Sequence, residues 1–105
     1  MFARATTFHI KIHRMEEAVQ LYRDSVLPAA RKQKGYRAAS LMTNPKTGKC
    51  LAITYWDKEE DALANERSRY YQEQLIKYVR LFLASPVRDG YEVSVLDSVN
   101  MGKQV

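Results

Sequence analysis

The side chains of this chain best suited to chemistry are two histidines, one cysteine, one tryptophan and seven tyrosines. His9 and His13 lie four positions apart. On an extended strand that is roughly 13 Å, too far for both to hold one ion. Cys50 is the only other soft ligand, so no metal site is expected. His13 falls in a predicted turn, where it is solvated. His9 falls on a predicted strand, and an imidazole there can orient or deprotonate a phenolic substrate. The alternative for His9 is a hydrogen-bonded residue of the sheet surface. Cys50 has no activating base at a recognisable spacing and reads as a small buried apolar residue. A site that stabilises a developing oxyanion needs a base, an aromatic wall and hydrogen-bond donors. His9, Trp56, Tyr70, Tyr71 and Arg67 are residues of those types. Tyr70 and Tyr71 point to different sides of a predicted helix, so one is core and the other reaches a pocket or a partner.

The elements that must position these groups follow from the pattern of the whole chain. At 105 residues it is expected to form one domain, residues 1–105. Its 46% apolar content is ordinary for a globular chain. No run approaches the ~18 apolar residues of a membrane span, and Met1-Phe2-Ala3-Arg4-Ala5 has no apolar signal core, so a cytoplasmic protein with no membrane association is expected. The formal charge of +5 is spread along the chain. The densest cluster, Arg31-Lys32-Gln33-Lys34, sits in a predicted last helical turn, where cations complement the carbonyl end of the helix.

Phe8, Ile10 and Ile12 alternate with Thr7, His9 and Lys11, which predicts a strand over 2–12. Met15, Ala18, Leu21, Tyr22, Val26 and Ala29 recur at helical steps, which predicts a helix over 14–33. Pro28 removes a backbone donor there, so a kink or bulge is expected. Gly35 is placed to end that helix in the left-handed conformation. Tyr36–Met42 and Cys50–Trp56 read as strands joined across Asn44-Pro45-Lys46-Thr47-Gly48. Asp57, with Glu60 three positions on, reads as the cap of a helix over Lys58–Leu83 that bends near Arg67-Ser68. Its stripe is Leu63, Tyr70 or Tyr71, Leu75, Tyr78 and Phe82. Pro86 and Gly90 punctuate its end, and Tyr91, Val93 and Val95 alternate as a fourth strand. Residues 98–105 carry little pattern and read as a tail.

The order strand, helix, strand, strand, helix, strand is the split βαβ arrangement. It is an α+β, ferredoxin-like βαββαβ fold with two helices on one face of an antiparallel sheet. The other face, expected to carry Phe8, Ile10, Leu51, Ile53 and Tyr55, is too apolar for a monomer, so a homodimer packed sheet to sheet is expected. The RNA-recognition motif shares this order but needs aromatics in mid-strand and a basic-Gly-aromatic signature. Cys50–Trp56 has neither, so no nucleic-acid role is expected.

Leu27-Pro28-Ala29, Lys34-Gly35-Tyr36-Arg37, Thr47-Gly48-Lys49 and Tyr55-Trp56-Asp57-Lys58-Glu59-Glu60, in this order and spacing, resemble the antibiotic biosynthesis monooxygenase superfamily of dimeric α+β barrels. The likeness runs over roughly residues 2–97. It implies a ligand cavity between the sheet and its own helices, lined by Trp56. Strand parity then puts Thr54, Ala52 and Cys50 on the same side, small enough to leave a void. Trp56 closing the core with no ligand is the alternative. The haem-degrading branch of the superfamily uses an Asn on strand one and an iron-ligating His on helix two. Those positions match Thr7 here and fall near Glu66 and Arg67, and no His follows His13, so haem chemistry of that form is not expected.

The resemblance implies a small cofactor-independent monooxygenase-type protein acting on an aromatic or quinol molecule, with no cofactor. The candidate catalytic residues are His9, Trp56 and Tyr70. The candidate substrate-binding residues are Thr7, Thr54, Glu66, Arg67 and Tyr71. The alternative is a non-catalytic, dimeric ligand-binding or accessory module of the same fold.

Overall fold

The computed structural model describes residues 1–98 and, of Tyr70, only its place in a helix. The expected tail over 98–105 lies almost wholly outside the described residues. Four strands, β1 (Phe2–His9), β2 (Tyr36–Thr43), β3 (Lys49–Trp56) and β4 (Val87–Glu92), form one sheet in the order β2-β3-β1-β4. Every neighbouring pair is antiparallel, with Phe2 opposite Trp56, Phe8 opposite Cys50 and Arg4 opposite Gly90. Side chains alternate across a strand, so this register sorts the whole sheet. Arg4, Thr6, Phe8, Cys50, Ala52, Thr54, Trp56 and Arg88 face the helices. Thr7, His9, Leu51, Ile53, Tyr55, Val87 and Tyr91 face away.

The register corrects two expectations. Phe8 and Ile10 do not belong to the bare face; both are buried under the helices. The fourth strand begins earlier than Tyr91, and Gly90 lies inside it rather than ending a helix. A Cβ at Gly90 would meet the Phe2 ring at 2.6 Å, so a side chain there requires the ring to shift.

The first helical segment is α1 (Met15–Leu21), a wide π turn over Tyr22–Val26, and α2 (Leu27–Ala30). Pro28 has no N–H for the carbonyl four residues back, and the turn opens just before it instead of breaking. Gly35 follows at φ 82°, in the left-handed region. The second segment is two helices, α3 (Glu59–Arg67) and α4 (Arg69–Tyr78), rather than one bent helix. Ser68 between them is extended, at φ −79° and ψ 154°. Its hydroxyl donates to the Asn65 carbonyl at 2.6 Å. Asp57 does not cap α3. Its carboxylate accepts from Arg37 at 3.1 Å, and the N-cap is Lys58, without a side-chain cap bond.

Phe8, Ile10, Ala18, Cys50, Tyr78 and Leu81 form the core cluster. The Phe8 ring meets the Tyr78 ring edge-on at 6.2 Å, and Tyr78 stacks with Phe82 at 5.9 Å. The Tyr78 hydroxyl donates to the Ala18 carbonyl at 2.9 Å and so ties α4 to α1. Among the described residues, no helix is long and apolar enough to cross a membrane.

Burial pushes the Tyr78 phenol far above its ordinary value of 10.0, and burial also raises Tyr36 and Tyr71. These phenols keep their protons in the folded protein at a pH where the unfolded chain loses them, so stability falls as pH rises above about 10. Unfolding free energies from urea titrations are expected to hold steady from about pH 8 to about pH 10 and to fall above it, by up to ~1.4 kcal/mol per pH unit for the buried Tyr78 phenol. Tyr78→Phe costs about 1 kcal/mol at neutral pH through the lost hydrogen bond, and it flattens the alkaline limb.

Candidate functional site

A cavity of about 120 Å³ lies between the sheet and the helices. It exists because the positions beneath the helices hold small side chains: Ala52 and Thr54 on β3, Thr6 on β1 and Ala30 on α2. One end is aromatic and aliphatic, formed by Phe8, Val26, Leu75, Tyr78 and Phe82. Trp56 is 1% exposed and meets the Tyr36 ring edge-on at 6.0 Å. An apolar protein cavity of roughly 150 Å³ takes up benzene, so this one is sized for a single aromatic ring.

The other end is polar and charged. The Arg4 guanidinium grips the Glu66 carboxylate with two nitrogens: Nη2 donates to Oε1 at 2.9 Å, and Nε pairs with Oε2. Such fork-to-fork pairs hold their geometry better than single contacts. Arg88 comes from β4, with Nη1 3.9 Å from the same carboxylate. Its guanidinium also lies over the Tyr71 ring, 4.6 Å from the centroid. Two cations around one carboxylate leave one positive charge in excess. Burial pushes the Tyr71 phenol up, with the Arg88 cation opposing, so Tyr71 is held as a hydrogen-bond donor.

Asn65 on α3 is 8% exposed, and its Nδ2 is buried with no partner among the described residues. An amide donor left this way is costly unless something accepts from it. Trp56 Nε1 donates to Thr54 Oγ1 at 2.9 Å, which leaves the threonine proton for another acceptor. The cavity end therefore presents donors from Arg88, Tyr71, Asn65 and Thr54. It is built to receive an electron-rich oxygen.

The structure brings together Trp56, Thr54, Glu66 and Tyr71 of the expected site residues. It does not bring in the rest. Thr7 and His9 pair with Leu51 and Lys49 and point to the opposite face, so no histidine lines the cavity. Arg67 faces an outer groove beside Gln33 and Glu60, because it follows Glu66 by one position and so projects about 100° away around the helix. Tyr70 lies on α4, and its side chain is outside the described residues. Arg4, Arg88 and Asn65 are the residues that sequence reasoning missed. The signal for Arg4 was its shared parity with Phe8 and Ile10, the more apolar phase of β1. Burial raises the Cys50 thiol, which sits 3.7 Å from the Met15 sulfur and is no nucleophile. No group of three metal-ligating side chains occurs among the described residues.

Fold and cavity define a ferredoxin-like α+β protein with a sheet–helix pocket. This is the fold of the antibiotic biosynthesis monooxygenase superfamily, a name that several similar solved structures carry. A protein provisionally given that name, from Bordetella bronchiseptica, matches with a TM-score of 0.78 at 12% identity, over 90% of this chain and 97% of that one. NE2512 of Nitrosomonas europaea, a protein of unknown function, matches with a TM-score of 0.77 at 14% identity, over 93% of both chains. A monooxygenase from the gene ActVA-Orf6 of Streptomyces coelicolor, in complex with the ligand Nanaomycin D, matches with a TM-score of 0.73 at 16% identity, over 92% of both chains. No sequence-family model and no curated protein matches the chain. The motifs that carry the resemblance are short, and at this identity they establish the fold alone.

Gly90 keeps space for Arg4: a Cβ there would come 2.7 Å from Arg4 Nη1. Gly90→Ala is expected to push the guanidinium off Glu66 and to cost about 1 kcal/mol in denaturant titrations. In an Arg4→Leu background the same substitution is expected to cost less, and the difference measures the coupling.

Proposed function

We propose that this protein binds a small monocyclic phenol or quinol as its anion in the sheet–helix cavity, and that the bound quinol is oxidised by dioxygen without a resident cofactor. The observation that carries this reading is the pairing of a ring-sized aromatic cavity with an end that holds excess positive charge and an unpartnered amide donor. The ring lies toward the aromatic end, on the side of Phe8, Tyr78 and Phe82. Arg88, Tyr71 and Asn65 donate to the phenolate oxygen. An anionic quinol is electron-rich enough to reduce dioxygen itself: one oxygen atom enters the ring, the other leaves as water, and the quinol becomes a hydroxyquinone, while the protein supplies ionisation, orientation and a low-dielectric site. The monooxygenase name of several structural neighbours supports oxygenation as the reaction type.

A second reading is a binding module without turnover. It is favoured by the engagement of Glu66, the cavity's carboxylate, with two guanidiniums, and by the absence of a histidine base from the lining. Calorimetric titration with methylhydroquinone, paired with oxygen-electrode measurements, separates the two. Oxygen uptake above autoxidation supports the oxygenase, whereas binding without uptake supports the module. Absence of binding overturns both. Arg88→Leu is expected to weaken binding about ten- to hundredfold, the worth of a charged hydrogen bond.

The outer face of the sheet is proposed as a homodimer interface. Leu51, Ile53 and Tyr55 lie there beside Met42, Val87 and Tyr91, which are 48%, 60% and 55% exposed. Sedimentation at micromolar concentration is expected to give a dimer, and Ile53→Asp a monomer. A wild-type monomer would overturn the interface.

A further inference from the structure

Gln74 sits on α4 one turn beyond Tyr71 and lines the same cavity. Its side-chain oxygen is already engaged: Ser25 Oγ donates to Gln74 Oε1 at 2.9 Å. Ser25 in turn accepts from Lys77 Nζ at 2.5 Å. An ammonium can only donate, so it fixes the serine oxygen as an acceptor and leaves the single hydroxyl proton for Gln74. The reverse orientation of the carboxamide would crowd a second donor onto that oxygen and strand the serine proton. The relay therefore sets the amide with its oxygen toward Ser25 and its Nε2 as the free end. That nitrogen carries no hydrogen bond among the described residues.

Ser25 occupies the wide π turn ahead of Pro28, the same turn that contributes Tyr22 and Val26 to the cavity wall. About 4.5 Å of axial rise separates Gln74 from Tyr71, the scale of one aromatic ring. A ring whose phenolic oxygen meets Tyr71 and Arg88 would therefore bring a second substituent near Gln74.

We propose that Gln74 is a specificity-determining donor, oriented by Ser25 and Lys77, which selects ring ligands bearing a second oxygen acceptor across the ring from the phenol. This rests on the cavity being a phenol site, and it narrows the class of ligand to para-dioxygenated rings. A lone phenol leaves the Gln74 amide without an acceptor, whereas a quinol or its monoether satisfies it. Lys77 and Gln74 come from α4 and Ser25 from the first helical segment, so selection depends on a contact between helices and not on the sheet.

The test compares 4-methoxyphenol with 4-ethylphenol, which match in size and differ in the acceptor oxygen, by calorimetry on the full chain. Wild-type protein is expected to favour the methoxy compound about five- to tenfold, the worth of one neutral hydrogen bond. Gln74→Met keeps the side-chain length and is expected to erase that preference while leaving 4-ethylphenol affinity within about twofold. Ser25→Ala removes only the orienting group and is expected to shrink the preference by about half or more. It also keeps the question open to measurement should Gln74→Met fold poorly. Equal wild-type affinity for the two phenols overturns the role of Gln74 while the cavity reading stands. A preference left undiminished by either substitution also overturns it. Binding of neither phenol to wild type overturns the cavity reading and this inference with it.

Discussion

The ion pair between Arg4 and Glu66 is the constraint around which the rest is arranged. Arg4 is on a central strand with its side chain on the helix side, a position that ordinarily holds an apolar residue. A guanidinium there requires a partner above it, because an unpaired charge in that layer is strongly destabilising. Glu66 supplies it and fixes where α3 lies over the sheet. Gly90 on the neighbouring strand leaves room for the Phe2 ring and the guanidinium, and Arg88 of β4 lies near the same carboxylate. The pair also holds the helical layer away from Ala52 and Thr54, whose small side chains do not fill the space beneath it. The cavity is what remains between a spacer at one end and the aromatic cluster of Phe8, Tyr78 and Phe82 at the other.

The charge arrangement follows from the same origin. One carboxylate among two guanidiniums is an organiser. It orients the cations while leaving a net attraction for an anion, and Tyr71 and Asn65 add donors without adding charge. The chemistry such an end favours is stabilisation of negative charge on oxygen. The cavity differs in character from its surroundings because its four donors come from four different elements, β3, β4, α3 and α4, and only the folded register brings them together.

Much of this architecture was legible in the sequence. Alternation marked β1 and β3, Gly35 marked the end of the first helical segment, and Pro28 marked the irregular turn before it. The parity of Trp56, Thr54 and Ala52 toward the helices was readable from the resemblance. The site was legible only in part. Thr7 and His9 were chosen for the chemistry of their side chains, whereas the apolar phase of the strand, Phe8 and Ile10, decides which side is buried. Arg88 was hidden because β4 has no clean alternation: Val87-Arg88-Asp89-Gly90 is mostly polar and becomes a strand only through pairing with β1. Glu66 was among the expected residues, whereas its neighbour Asn65, also on α3, was not, because a lone polar residue there reads as helix surface.

That break at Ser68 divides the cavity wall mechanically. α3 is fastened to the sheet through Glu66, and α4 is fastened to the first helical segment through Tyr78 on Ala18 and through Ser25. The two halves of the wall therefore belong to different rigid parts that meet at one extended residue. The anion-binding end straddles that joint, because Asn65 and Glu66 precede Ser68 on α3 whereas Tyr71 follows it on α4. The angle at one extended residue therefore sets the spacing between donors that must converge on a single oxygen.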